Sequence, residues 1–367
     1  MDIRIDRNDL ISGLHLTHGI ADRKASVPIL ANVLIKTIGD HEVQFASTDL
    51  KTVITVTVPA KIDEVGAITV SARQIYEIAK GLSHKDVSLK KTEQNWLEIK
   101  CGKSEFKIVG MSDRDYPKLP SAEGITFGEI QSKPLWEMIG RTIFSVSQDD
   151  TRPHLASILL ECDTKTATMV STDGHRLSKA SSALPGAPKM IPGILIPRKG
   201  ISEVRKAIEG REATCEIGVD QGYLVIKADS TCLMVKLGEG QFPPYEQVIP
   251  KENDKKIFLN RENLLAALRR VSIIASDKTW GVKFLLEAGK LSIEVENPDL
   301  GNAKEIIETS YSGEHLQIGF NARYFIDVLS EMKDEDIQLE MGGDLDPAVI
   351  SVKEKDDYLG VVMPMRL

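Results

Sequence analysis

The sequence is poor in several features that mark particular protein classes. Aromatic residues make up 5% of the 367 residues, and the four cysteines are Cys101, Cys162, Cys215 and Cys232. No two of them have CxxC or any other zinc-like spacing. We expect buried free thiols in a reducing compartment, because structural disulfides belong to oxidising compartments.

Long apolar runs are also missing. No stretch approaches the roughly 18–20 apolar residues that cross a bilayer. The opening segment MDIRIDRNDL alternates apolar and charged residues, so it suits a strand and lacks the apolar centre of a signal peptide. We therefore expect a cytoplasmic protein that does not contact membranes.

The motifs of common enzymes are absent as well. The sequence has no GxxxxGK[ST], no GxGxxG after a strand, no HExxH and no GxSxG. Gly102-Lys103-Ser104 resembles the end of a phosphate loop, but Leu97 stands where the first glycine belongs. Asp173 and His175 allow two interpretations: a metal or acid–base pair, as in a hydrolase, or a loop held by hydrogen bonds from the backbone to Asp173. We expect no catalytic residues, no cofactor and no metal site.

What is present is ordinary globular composition with an internal repeat. Hydrophobic residues make up 42% and charged residues 27%, with a net charge of −8. The segment Arg152–Leu177 is predicted to form a strand, a turn, a second strand and a polar loop. Its Ser171-Thr172-Asp173 matches Ser47-Thr48-Asp49 at an offset of 124 residues, and a weaker third copy begins at Trp280. The chain is therefore a triplication.

Each copy contains two segments of helical period followed by alternating strands. The arginines Arg73, Arg198 and Arg323 open the second segment of each copy and stand 125 residues apart. We predict an α+β fold of three repeated domains, each with two helices packed on an antiparallel sheet. The predicted boundaries, near Gly124 and Pro250, give domains of residues 1–124, 125–250 and 251–367.

Positive charge concentrates in the predicted helices. Together they carry a net charge of +7 and leave −15 for the rest of the chain; the windows are residues 7–24, 71–82, 131–147, 197–209, 260–275 and 321–333. One interpretation is six ordinary solvated helix faces. The other is a common surface for a polyanion, with sequence-independent phosphate contacts.

Four motifs closely resemble the bacterial DNA polymerase III beta subunits, the sliding-clamp family. They are Val27–Leu30, Thr172–Leu177, Ile196–Gly200 and the ending Val361–Leu367. The resemblance covers all three repeats. It departs from the family at Pro153 and His154, where many relatives have aromatic residues, and at Gln247, where many have a basic residue.

The resemblance implies a non-catalytic processivity subunit that forms a head-to-tail homodimer, a ring of six domains around duplex DNA. The implied partners are DNA of any sequence, a second copy of the chain, the clamp loader, the DNA polymerase III alpha subunit and other proteins with a clamp-binding motif. The implied location is the bacterial cytoplasm, at the nucleoid during replication. A protein-interaction scaffold without DNA is the alternative from another class.

The resemblance also implies three sets of site residues. The DNA-facing set is Lys24, Arg73, Arg141, Arg152, Arg198, Lys199, Arg205, Lys206 and Lys278. The partner-peptide pocket is Leu155, Thr172, Gly174, His175, Arg176, Leu177, Pro243, Val248, Val361, Val362, Met363, Pro364, Met365 and Arg366. The dimer interface is Phe106 and Ile108 against Ile273 and Ile274.

Alternatives remain open for two of these sets. Met363 and Met365 fit either an adaptable peptide pocket or ordinary core packing in a last strand. His175 and Arg176 are expected to bond peptide carbonyl groups. Phe106, Ile108, Ile273 and Ile274 fit either a contact between chains along an unpaired strand edge or the core of one chain.

Overall fold

The structure is a computed structural model that describes residues 1–21, 27–149, 151–210, 213–276 and 278–366. Its described residues contain six α-helices. They are α1 (Arg7–Ile20), α2 (Ala72–Gly81), α3 (Ser132–Ile143), α4 (Arg198–Ala207), α5 (Arg261–Val271) and α6 (Ala322–Glu331). All six fall within the six windows predicted from the sequence. None of them has the length and apolar character that crossing a bilayer requires.

The strands repeat the same order three times. The first repeat holds β1 (Asp2–Asp6), β2 (Asn32–Ile38), β3 (Glu42–Thr48), β4 (Thr52–Pro59), β5 (Lys61–Glu64), β6 (Ala67–Ser71), β7 (Asp86–Lys91), β8 (Trp96–Cys101) and β9 (Ser104–Met111). The second holds β10 (Phe127–Gln131), β11 (Ser157–Cys162), β12 (Thr166–Thr172), β13 (Arg176–Ala183), β14 (Met190–Pro197), β15 (Thr214–Asp220), β16 (Tyr223–Ala228) and β17 (Thr231–Lys236). The third holds β18 (Lys255–Asn260), β19 (Gly281–Glu287), β20 (Lys290–Asn297), β21 (Gly301–Glu308), β22 (Leu316–Asn321), β23 (Asp336–Met341), β24 (Ala348–Val352) and β25 (Lys355–Val362).

Each repeat therefore runs strand, helix and three strands, and then strand, helix and three strands again; only β5 is extra. All strand pairings described are antiparallel. The predicted α+β fold of three repeats is confirmed.

The chain divides into two compact units. The first, residues 1–133, 186–188 and 199–237, contains one sheet in the order β10-β15-β16-β17-β4-β3-β2-β6-β9-β8-β7-β1-β5. The second, residues 134–185, 189–198 and 238–367, contains the sheet β14-β11-β12-β13-β25-β24-β23-β18 and the sheet β21-β20-β19-β22.

Helices pack on these sheets through apolar stripes. In α2 the buried residues Ala72, Ile75 and Ala79 recur at helical period, and the Ser71 hydroxyl caps the helix by accepting from the Gln74 backbone N–H. In α1, a Cβ at position 13 would lie 2.4 Å from the Phe45 ring, so this helix–sheet approach requires glycine. The six helices thus bury one face each and leave the other for solvent or a ligand.

The cysteines are free thiols, as the sequence predicts. Cys101, Cys162 and Cys215 are buried, whereas Cys232 is only partly buried. Burial raises the pKa of the Cys162 and Cys232 thiols, which keeps them protonated at neutral pH.

Candidate functional site

The loop between β12 and β13 is held by its own side chains. One carboxylate oxygen of Asp173 accepts from the backbone N–H of His175 at 2.9 Å and of Arg176 at 3.1 Å. The Thr172 hydroxyl donates to the Arg176 carbonyl at 2.7 Å and accepts from the Gly174 N–H. Gly174 has a φ of +92°, which side-chain-bearing residues rarely adopt. The interpretation of Asp173 as a loop-holding residue is confirmed.

Arg176 is engaged inside its own unit. Its Nε donates to the other Asp173 oxygen at 3.0 Å, and its two Nη atoms donate to Asp327 at 2.5 Å and to the Phe144 carbonyl at 2.6 Å. The guanidinium lies 4.6 Å from the ring centre of Tyr324. Three of its five N–H groups are therefore used in the fold. Its main effect is to fix the loop that presents the exposed His175.

An apolar floor lies beside this loop. Leu177 and Val361 face each other in the β13–β25 ladder and are buried with three other aliphatic residues, Leu159, Val170 and Leu195. Phe242, Tyr245, Ile249 and Leu359 pack against this cluster. Leu155 and Val362 are buried, Pro243 is half-buried, and Val248 remains 44% exposed. Burial raises the pKa of Tyr245 to about 12, so its phenol stays protonated.

The C-terminal segment runs from this floor to a neighbouring sheet. The Met363 N–H donates to the His175 carbonyl, and the Met365 N–H donates to the Gly319 carbonyl, both at 2.9 Å. Met363, Pro364 and Met365 are half-buried and Arg366 is exposed. These four residues line a cavity of about 980 Å³ together with residues of β19, β20 and β22 and with Leu345. The loop, the apolar floor and the C-terminal segment thus lie in one unit, and its two methionines are half-buried.

The predicted DNA-facing residues differ in their exposure and in whether they pair with carboxylates of the same chain. Arg73 and Arg198 are exposed and make no ion pair among the residues that the structure describes. Lys199 pairs with Asp49 at 2.5 Å and Lys206 with Glu203 at 2.8 Å. Arg205 is half-buried and Lys278 exposed, whereas Lys24 lies outside the described residues.

Two further arginines of this set are tied to carboxylates. Arg141 lies 3.0 Å from Asp357, stacks on Tyr358 and is only 14% exposed. The exposed Arg152 pairs with Asp149 at 2.9 Å. Arg141 therefore has less freedom to reach a ligand than Arg152.

The predicted interface residues lie at the surface. Phe106 is 40% exposed and Ile273 is 74% exposed, while Ile108 and Ile274 are partly exposed. The alternative that these four form the core of one chain does not fit these exposures.

Sequence reasoning missed the residues that hold Arg176. Phe144, Tyr324 and Asp327 lie far from it in sequence; Asp327 is 151 residues away. No local motif marks them: Phe144 is brought to Arg176 by the packing of the second repeat, and Tyr324 and Asp327 by the packing of the third repeat against it.

Comparison with known proteins finds one family along the whole chain. Models of the DNA polymerase III beta subunit match the N-terminal domain at residues 1–120, the central domain at 129–244 and the C-terminal domain at 246–366. The beta sliding clamp of Pseudomonas putida is 33% identical over 368 residues, and the match covers 100% of both chains.

The chain belongs to the DNA polymerase III beta subunit family, the beta sliding clamps. It is accordingly a DNA sliding clamp, a processivity factor of DNA polymerase III without catalytic activity of its own. The family implies partnership with DNA and with a polymerase.

Solved structures of the family share the whole fold. The beta sliding clamp of Caulobacter crescentus is 31% identical, with a TM-score of 0.92 and 100% coverage of both chains. The sliding clamp of Bartonella birtlesii, solved with griselimycin bound, is 32% identical, with a TM-score of 0.94 and the same coverage.

Proposed function

We propose that two copies of this chain join head to tail into a ring of six domains around duplex DNA. The domains are residues 1–124, 125–250 and 251–367 of each copy. Exposed basic residues of the helices contact DNA phosphates, and the Thr172–Leu177 pocket holds peptides of the DNA polymerase III alpha subunit, the clamp loader and other partners. The site of action is the bacterial cytoplasm, at the nucleoid during replication.

The observation that carries the ring is the way in which the repeats join. Repeat 1 pairs with repeat 2 through β4 and β17, and repeat 2 pairs with repeat 3 through β13 and β25. In each joint, the third strand after the first helix of one repeat, β4 or β13, pairs with the last strand of the next repeat, β17 or β25. Among the described residues, two strands in the corresponding positions lack such a partner. They are β21, the third strand after the first helix of repeat 3, and β9, the last strand of repeat 1.

Both strands have open edges. β21 pairs only with β20 and ends its sheet. β9 pairs along its length with β8, but with β6 only at Met111 and Gly110, so one side of residues 104–109 is free. Unpaired edges invite pairing between chains. β21 of one copy and β9 of another therefore supply a third joint of the same kind.

Apolar side chains accompany these edges. Phe106 and Val109 are exposed on β9, and Ile306 on β21 is 55% exposed. Ile273, at the end of α5, is 74% exposed and the adjacent Ile274 is partly exposed. Burying such side chains at about 25 cal/mol per Å² favours association. Phe106 and Ile108 against Ile273 and Ile274 are the contact we propose.

The DNA contact rests on charge and exposure. Arg73 and Arg198 begin α2 and α4 and are exposed without ion-pair partners in the described chain. Lys199, Lys206 and Arg152 pair with carboxylates. The Arg152–Asp149 pair is exposed at both ends and contributes only about 0–1 kcal/mol, so phosphates can compete for Arg152. The ammonium groups of Lys199 and Lys206 are about half exposed and within reach of a phosphate, although their carboxylate partners are largely buried. Arg141, Arg205, Lys278 and Lys24 complete the proposed set. The contact is electrostatic and allows sliding.

The pocket rests on shape and chemistry. It combines a buried aliphatic floor, two surface methionines and a loop whose geometry is fixed by Asp173 and Arg176. Methionine adapts to varied apolar side chains, which suits several partners with related motifs.

The test is topological. The protein is loaded on nicked circular DNA, and the DNA is then linearised. We expect retention on the circle and release from the linear product, because only a closed ring is held without tight contacts. Retention on linear DNA with free ends, or a protein that stays monomeric at micromolar concentration, would contradict the ring.

A charge-reversal variant tests the lining. Replacing Arg73, Arg198 and Lys199 by Glu should abolish DNA retention and leave peptide binding intact. The matched control replaces Lys36, Lys118 and Lys189 by Glu; these lysines are exposed and lie outside the helices. Equal retention by both variants would favour the scaffold without DNA.

A further inference from the structure

A cluster of two imidazoles and a phenol joins α1 to α2. His15 and His18 lie on one face of α1, three residues apart, and both contact Tyr76 of α2. The His15 Nδ1 is 3.0 Å from the Tyr76 hydroxyl, and the His18 ring stacks on the Tyr76 ring with centres 4.1 Å apart. Nothing in the peptide pocket or the strand edges uses these residues.

The contacts fix which ring atoms face a ligand. The His18 Nδ1 donates to the carbonyl oxygens of His15 at 2.7 Å and Leu14 at 3.1 Å, so the proton of this ring sits on Nδ1 when it is neutral. Among the described residues, no hydrogen bond reaches the Nε2 of either imidazole. A second proton therefore adds both a charge and an outward N–H donor.

The surroundings of the cluster are those of the proposed DNA-facing surface. Arg73 precedes Tyr76 by three residues and Lys80 follows it by four, so the three share one stripe of α2. The Lys80 ammonium lies 5.1 Å from the centre of the Tyr76 ring. On the other side, His15 lines a groove of about 590 Å³ that Lys206 of α4 also lines.

Charged groups that face the imidazoles come from two helices, α2 and α4. From α2 they are Arg73, Glu77 and Lys80, with Glu77 and Lys80 paired at 3.1 Å. From α4 they are Lys206, paired with Glu203, and at its end Glu209, which lines the groove with His15. On α1 itself the groove lining near His15 is uncharged: Asn8, Ile11, Ser12 and Leu16.

We propose that His15 and His18 form a DNA-phosphate contact that is made only when the imidazoles are protonated. This inference rests on the proposed function. It adds pH-dependent contacts to the basic residues that are proposed to face DNA. An imidazole is the side chain that ordinarily changes charge between about pH 5 and 8. Binding to DNA should therefore tighten as the pH falls, and its dependence on salt should steepen.

Full-length protein is titrated on a short fluorescent duplex by anisotropy, over a series of salt concentrations at pH 6.0 and pH 8.0. Each phosphate contact adds about 0.9 to the slope of log affinity against log salt, so two imidazoles should steepen it by about 1.8 at the lower pH. The double variant His15→Gln, His18→Gln should lose this difference. The double variant His15→Lys, His18→Lys should have the steep slope at both pH values.

The matched control is His41→Gln with His315→Gln, two exposed histidines outside the helices. It should keep the full difference between the two pH values. If the glutamine double variant at positions 15 and 18 also keeps it, the proposal is wrong. Wild-type protein that binds the short duplex equally at both pH values, or that does not bind it at pH 6.0, contradicts this inference alone, whereas failure to stay on circular DNA contradicts the proposed function itself.

Discussion

The β4–β17 and β13–β25 joints are two versions of one backbone arrangement. Each has five residue pairs in an antiparallel ladder. Asp49 accepts from the Lys51 and Thr52 backbone N–H groups, as Asp173 accepts from those of His175 and Arg176. The backbone after each ladder bonds back to the turn, from Lys236 to Lys51 at 2.8 Å and from Met363 to His175 at 2.9 Å.

The side chains make the two joints different. The second carboxylate oxygen of Asp49 pairs with the half-exposed Lys199, whereas that of Asp173 pairs with Arg176, which is 11% exposed. Beside the first joint, Val53, Val225 and Met234 are packed by linker residues, Leu119 and Ala122 among them. At the second joint the linker residue Val248 remains 44% exposed.

The difference shows that the shared backbone does not by itself create a pocket. Both joints fold in the same way because the same turn and ladder recur. We propose that the second becomes a peptide site because the largely buried Arg176 stiffens its loop and because Met363 and Met365 stand where the first joint has Lys236 and Gly238.

Replacement of the aspartate in each joint should give the largest difference between the two joints. Asp49→Ala and Asp173→Ala each lose two backbone hydrogen bonds and one ion pair, so the difference between them reports the difference between the Lys199 and Arg176 pairs. Loss of Asp173 leaves the largely buried Arg176 with one carboxylate fewer, and we expect it to cost about 2 kcal/mol more in local stability. Hydrogen exchange of the β4 and β13 amides measures this.

Peptide binding provides the second readout of this pair of variants. It should disappear in Asp173→Ala and remain in Asp49→Ala. Equal destabilisation of the two joints, or peptide binding that survives loss of Asp173, would mean that the arginine does not stiffen the loop.

Truncation of the residue that follows each ladder should give an intermediate effect. Met363→Ala removes a half-buried pocket side chain, and we expect the affinity for a labelled apolar peptide to fall about tenfold, or about 1.4 kcal/mol. Lys236→Ala is the matched control at the equivalent backbone position and should bind as the wild type does. Fluorescence polarisation measures both, and equal losses would place the peptide elsewhere.

Local patterns predicted the repeated elements well. The offsets of 124 and 125 residues marked equivalent turns and helices, and the loop chemistry of Asp173 followed from its spacing to the backbone groups it accepts from. These features depend on neighbours in sequence. The loop and strand at the second joint, with the C-terminal residues that follow, were predicted as a peptide site only through their resemblance to the sliding-clamp family.

Contacts between distant segments could not be predicted in this way. Arg141 meets Asp357 across 216 residues, and Arg176 meets Asp327 across 151. The sequence marked Arg141 and Lys199 only as cations, and their carboxylate partners emerge from packing. Likewise, His15 and Tyr76 are 61 residues apart, so the cluster on α1 and α2 had no sequence signal.

Substitutions of the α4 lysines, Lys199 and Lys206, should give the smallest effects. They test whether a lysine that pairs with a carboxylate can still contact DNA. Lys199 and Lys206 are each about half exposed and pair with the largely buried Asp49 and Glu203. Lys199→Ala and Lys206→Ala should each cost about 1 kcal/mol in stability, because the ammonium end of each pair is solvated while the carboxylate left behind is largely buried. Each should also lower the slope of log affinity against log salt by about 0.9. If Lys199→Ala leaves that slope unchanged while Arg198→Ala lowers it, Asp49 has withdrawn Lys199 from the DNA, and the first joint would be purely structural.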